Sequence, residues 1–177
     1  MDSEMMPVFP KVVRCSHCNG IFWVNDAKRI GTSDSFDDGA DTIPEEWSEA
    51  LPIIELDIDG YQDALIQGLG STKEREKYIR IQLWWSLNDL VRYEDKQPKL
   101  FRLNEKLFQE NLKLLVELLK DSESTEKIMK AEISRELGDF EKCLLHLTGI
   151  PEEHKVVCNN LRKFVQCKSQ MVQQIMI

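Results

Sequence analysis

The stretch from Ser124 to Leu147, STEKIMKAEISRELGDFEKCLLHL, decides how this chain is read. Gly138 stands where a helix end needs a residue that accepts the left-handed backbone, and Asp139 after it can cap the amides of a second helix. The pattern predicts two helices joined by a tight turn. Ala131 and Cys143 are small residues where the two backbones approach, and Phe140 is placed to fill the gap between them.

Leu137-Gly138-Asp139-Phe140-Glu141-Lys142-Cys143 resembles the turn inside a tetratricopeptide repeat, where Leu-Gly-Asp-Tyr-x-x-Ala is usual, and Ala131 falls on that repeat's first small position. Other positions depart from it. Lys127 and Lys130 replace the first helix's aromatic and leucine, Ser134 its tyrosine, and Ile150 the second helix's alanine. A shift of about 34 residues either way finds no neighbouring repeat, whereas a solenoid needs about three. The resemblance implies one repeat-like αα-hairpin and, with it, a surface for another protein or for a second copy of the chain.

Working outward, Pro151 opens a final helix with Val157, Leu161, Phe164 and Val165 on one stripe, and the apolar run from Met171 to Ile177 is expected to dock on the domain or on a second subunit. On the other side, Thr72 or Ser71 caps a helix reaching about Tyr93, with Glu74 placed for a capping box. Ile81, Trp84, Leu87 and Val91 form its apolar face, widened by Leu83, Trp85 and Leu90. After Pro98 comes a long helix with two stripes. Leu100, Leu103, Leu107, Leu114 and Leu118 make one, and Phe101, Phe108, Leu112, Leu115 and Leu119 the other. Asn88 and Asn111 interrupt these faces and are expected at the rim, because a buried amide without a partner costs about 1–3 kcal/mol.

Towards the N-terminus the composition changes. Residues 1–30 read as a small β-hairpin knuckle, with VFPKVV and IFWV flanking Cys15, Cys18 and Gly20. Residues 31–52 are rich in Gly, Ser and Asp and read as an acidic flexible linker, which leaves 53–177 as the helical domain. Within it, Ile53 to Asp59 is a short strand, and Asp59-Gly60 turns into a helix from Tyr61 to Leu69. Two acidic stretches echo calcium loops and fail at a ligand position, Phe36 after Asp34 and Ile66 after Glu55. The fold class is mostly α: a helical bundle with a tetratricopeptide-like hairpin and a small N-terminal β knuckle.

Cys15-Ser16-His17-Cys18-Asn19-Gly20 resembles one half of a zinc ribbon. A structural zinc takes four ligands, and there is no second Cys-x-x-Cys. His154 and Cys158, four apart on one helical face, are the pair expected to complete the set Cys15, Cys18, His154 and Cys158. A thioredoxin-like role would need the pair to open a helix, which the flanking β-prone runs do not provide.

A net charge of −8 disfavours nucleic acid, no apolar run is long enough for a membrane span, and the acidic N-terminus does not resemble a signal peptide. Five cysteines, an odd number, fit reduced thiols in the cytoplasm. Neither a phosphate-cradling glycine loop nor a nucleophile elbow is present, and the three histidines do not cluster with a serine or acid. The expected function is a non-catalytic protein-interaction module with a structural zinc knuckle. The alternatives are a metal-dependent or redox protein centred on Cys15 and Cys18, and a zinc-ribbon nucleic-acid adaptor. The overall layout also resembles uncharacterised bacterial proteins, which implies no activity.

Overall fold

The computed structural model describes residues 9–31, 47, 50–92 and 97–172. It is mostly helical, with one small antiparallel sheet, and divides into two compact units, Met1–Leu69 and Gly70–Ile177. Most of the acidic segment expected as a linker, including the calcium-like stretch from Asp34, lies outside the described residues, as do residues 173–177 of the apolar run expected to dock.

The first unit is built on three strands in the order β2-β1-β3: β1 is Val12–Arg14, β2 is Ile21–Trp23 and β3 is Ile54–Glu55. Val12 pairs with Trp23 and Arg14 with Ile21, so the Cys15–Gly20 turn closes a hairpin, while Val13 pairs with Glu55 on the other side. β3 thus belongs to the N-terminal sheet. Residues 53–69, assigned from sequence to the helical domain, fold with the knuckle because their strand completes its ladder.

The helix α1, Ile58–Ile66, follows, and its cap is Asp57, whose carboxylate accepts the Gly60 amide at 2.8 Å. Asp59 and Gly60 lie in its first turn and not ahead of it. Val12, Val13, Trp23, Leu56, Tyr61 and Ala64 are buried. The Trp23 indole donates to the Leu69 carbonyl at 3.0 Å, and Arg14 pairs with Asp63 at 3.6 Å, tying the sheet to α1 and the turn after it.

The second unit begins with α2, Lys73–Arg92, with Thr72 accepting the Arg75 amide at its start. α3 is Pro98–Leu103, α4 Glu105–Leu118, α5 Ser124–Glu136, α6 Phe140–His146 and α7 Lys155–Gln166. The expected single helix after Pro98 breaks at Asn104, whose side-chain amide turns back to the Leu100 carbonyl. Of its two stripes, Phe108, Leu112, Leu115 and Leu119 are buried, whereas Leu103 and Leu114 face solvent. α4 packs on α2, whose buried face is Ile79, Leu83, Trp84 and Leu87, with Trp85 exposed.

Asn88 and Asn111 are buried and not at the rim. Asn111 is satisfied across the α2–α4 contact: its amide donates to the Arg80 carbonyl at 3.0 Å, and its oxygen accepts from the Arg80 guanidinium. Burial is tolerated there because the partner is in place.

α5 and α6 pack on each other across a turn in which Gly138 has φ +83°. Its amide donates to the Arg135 carbonyl and the Asp139 amide to the Ser134 carbonyl, the paired bonds of a Schellman ending. Asp139 then caps α6 by accepting the Lys142 amide at 3.1 Å. Ala131, Cys143, Leu147, Cys158 and Leu161 form the core that α5, α6 and α7 share. α7 ends with the same paired bonds, but with Lys168 in the left-handed region. Among the described residues no helix is long and apolar enough to cross a membrane.

Candidate functional site

The Cys15–Gly20 turn is the first candidate. The Cys15 amide donates to the Gly20 carbonyl and the Asn19 amide to the Cys15 carbonyl, both at 2.9 Å, with Asn19 in the left-handed region at φ +58°. Hydrogen bonding from the backbone amides of Cys18 and His17 bears on the Cys15 sulfur. Those donors, the Cys18 amide foremost, hold the Cys15 thiol below its ordinary pKa and favour the thiolate. Gly20 leaves the approach open, since a Cβ there would stand 3.3 Å from the Cys18 sulfur. Cys18 is exposed and Cys15 half-buried.

Beside the turn, Cys15, Ser16, His17 and Phe22 border a cavity of about 300 Å³ whose other wall is Leu51, Pro52 and Ile53. The Ser16 hydroxyl donates to the Pro52 carbonyl at 2.6 Å and fixes that wall.

The other two expected ligands lie in the second unit. His154 ends the 3-10 turn leading into α7 and sits 3.4 Å from Glu153, and Cys158 is one turn further on. Cys158 is buried in the α5–α6–α7 core, where desolvation pushes its thiol up. Cys143, in the same core, is pushed up to about 11. These are packing residues in their present places. Among the described residues, no three His, Cys, Asp or Glu side chains come close enough to share a metal ion.

A second candidate lies where α4, α5 and α6 meet. A groove of about 290 Å³ has Val116, Ile133 and Leu137 as its apolar lining and Lys130, Lys142 and His146 among its polar residues. Lys130 is held by Asp121 at 2.9 Å and Lys142 by Asp139 at 2.7 Å. Burial, and then the positive charge of Lys130, keep His146 below its ordinary pKa. Lys130 and Ser134, which stand where the repeat that the hairpin resembles has a leucine and a tyrosine, are both buried and give the groove polar groups.

Sequence reasoning missed a third feature, a polar cluster on α5 and α2. Arg135 is fully buried, forked on Glu132 at 2.7 and 2.8 Å, and donates to the carbonyls of Ser169 and Met171 while its guanidinium lies 5.5 Å from the Phe164 ring. Glu136 accepts the Trp84 indole at 2.8 Å. Desolvation, and then the neighbouring Glu132, push its carboxyl up to about 8 even though Arg135 stands 3.5 Å away. Asn88 Oδ1, Arg92 Nε and Glu136 Oε1 are buried without a hydrogen-bond partner. The signal was the spacing of Trp84, Asn88 and Arg92, four apart along one face of α2, opposite a charged run, Glu132 to Glu136, in a helix otherwise read for its apolar positions.

No family model matches the chain, and no curated protein or solved structure does either.

Proposed function

We propose that the second unit is a non-catalytic protein-interaction module, a helical bundle in which α5 and α6 form a tetratricopeptide-like hairpin, and that its groove takes an acidic segment of a partner protein. The groove itself carries this reading: an apolar floor of Val116, Ile133 and Leu137 bordered by Lys130, Lys142 and His146, with Glu117 and Asp139 also on its lining. An apolar anchor would seat on the floor while carboxylates compete with Asp121 and Asp139 for the two lysines. Asp121 is largely solvent-exposed, so releasing Lys130 from it costs little, and Asp139 still caps α6 through the Lys142 amide when the Lys142 side chain turns away. The free thiols fit work in a reducing compartment such as the cytoplasm.

The test is selection of a random peptide library on the full-length protein, repeated on Lys142→Glu and Leu137→Asp. Selected peptides should combine acidic residues with one large apolar residue, and both variants should lose them. Carboxylates bound beside His146 should also raise its pKa, read by NMR, because they offset Lys130 and Lys142. Selection without acidic bias, or peptides held equally by both variants, would overturn the assignment.

A further inference from the structure

The Cys15–Cys18 turn is a finished half-site for a metal. Two cysteines three positions apart sit on a hairpin tip, Asn19 closes the turn in the left-handed region, and Gly20 leaves the approach to the Cys18 sulfur clear. What is missing is the other half. Within the first unit, His17 is the one other cysteine or histidine, and among the described residues no three His, Cys, Asp or Glu side chains come together to hold a metal ion. Cys143 and Cys158 are locked in an apolar core, and a zinc ion held by two thiolates alone falls short of its four ligands.

The surroundings of the turn favour a like surface. Among the described residues, Leu51, Ile53 and Ile54 are exposed next to it, and β3 is an edge strand of the sheet. A twofold axis through the metal would bring the same apolar patch from each chain together and supply four sulfurs in a tetrahedron.

We propose that Cys15 and Cys18 bind zinc jointly with the same two cysteines of a second copy of this chain, so that one ion links two chains at their knuckles. Four Zn–S bonds form and four thiol protons pass to solvent, with no change of oxidation state. The linkage is independent of the α4–α5–α6 groove. Closure by symmetry is proposed in place of closure by His154 and Cys158, and the variants below separate the two.

The experiment uses full-length protein, freed of metal under a phosphine reductant, titrated with Zn2+ and followed by native mass spectrometry and sedimentation. Uptake should saturate at one zinc per two chains, with the mass doubling at the same point and returning on addition of chelator. Co2+ in place of zinc should give the visible bands of a tetrathiolate site. Cys18→Ser, an exposed change, should abolish both uptake and doubling while circular dichroism stays unchanged. Cys167→Ser and the pair His154→Ala with Cys158→Ala should leave both in place. No zinc uptake, one zinc per chain on a monomer, or a dimer that persists in Cys18→Ser would each overturn the proposal.

Discussion

Replacing Glu136 by Gln should change the pH dependence of stability more than stability itself. The carboxyl is buried, and its proton is held up to about 8 against 4.5 for an ordinary glutamate, because desolvation and Glu132 outweigh Arg135 and Arg92. Arg135 compensates weakly because its fork is already filled by Glu132. A carboxyl whose pKa rises on folding contributes its full stability below the unfolded value and loses it as pH climbs through the folded one. The loss runs at about 1.4 kcal/mol per pH unit across that window, so from about pH 6 to pH 9 the native protein should give up roughly 2–3 kcal/mol through this group. For a domain of this size that is roughly 10 °C in Tm. Glutamine keeps an acceptor for the Trp84 indole but cannot ionise, and its amide protons beside Arg135 should cost about 1–3 kcal/mol at the acid end. The assay is urea unfolding of both proteins at matched pH values, followed by Trp fluorescence. Subtracting one curve from the other cancels every other titrating group, Cys143 included. The gap between the two should narrow or reverse as pH rises. Parallel curves from pH 6 to pH 9 would refute the raised pKa.

Arg135→Met should destabilise the helical unit by about 3–5 kcal/mol, since it leaves the largely buried Glu132 carboxylate without its partner. It should also deprotect the segment from Ser169 to Met171, whose carbonyls the guanidinium holds, in hydrogen exchange. Gly138→Ala should cost about 1–2 kcal/mol in chemical denaturation, because φ +83° strains an L-residue and the new methyl meets the Gln170 amide. A cost near zero would mean that the turn is not the Schellman ending described above. Asp139→Ala should remove the α6 cap at about 1 kcal/mol, with Asp139→Asn retaining most of it, again by denaturation.

The helix pair was legible because its punctuation is local. Gly138 and Asp139 each act through backbone groups within a few residues, and the observed bonds are those the residue types demand. The Cys15–Gly20 turn was legible for the same reason. Choosing between the two leucine stripes after Pro98 was not a local question. Both satisfy helical spacing, and only the position of α2 decides that Phe108, Leu112 and Leu115 go inside while Leu103 and Leu114 stay outside. The boundary near Leu69 was hidden by the same kind of non-local fact, a two-residue strand whose only sequence signal is β-branched isoleucine but whose pairing with β1 reassigns everything up to α1.

The asparagines show why the polar interior was least legible. The rule that placed Asn88 and Asn111 at the rim prices a buried amide without its partner, and the partner of Asn111 is Arg80, thirty-one residues away on another helix. Once that partner exists, the same rule permits burial. For Asn88, Arg92 and Glu136 it is only partly met, each keeping one buried atom without a hydrogen bond. Exchanging the cluster for apolar residues of similar volume would on general grounds be neutral or stabilising. What it supplies instead is registry: the Trp84–Glu136 bond sets α5 against α2, and Arg135 fastens the segment after α7 to α5. The α5–α6 groove therefore stands on a helix whose position polar bonds fix from its opposite side, and an apolar replacement could raise stability while loosening that position.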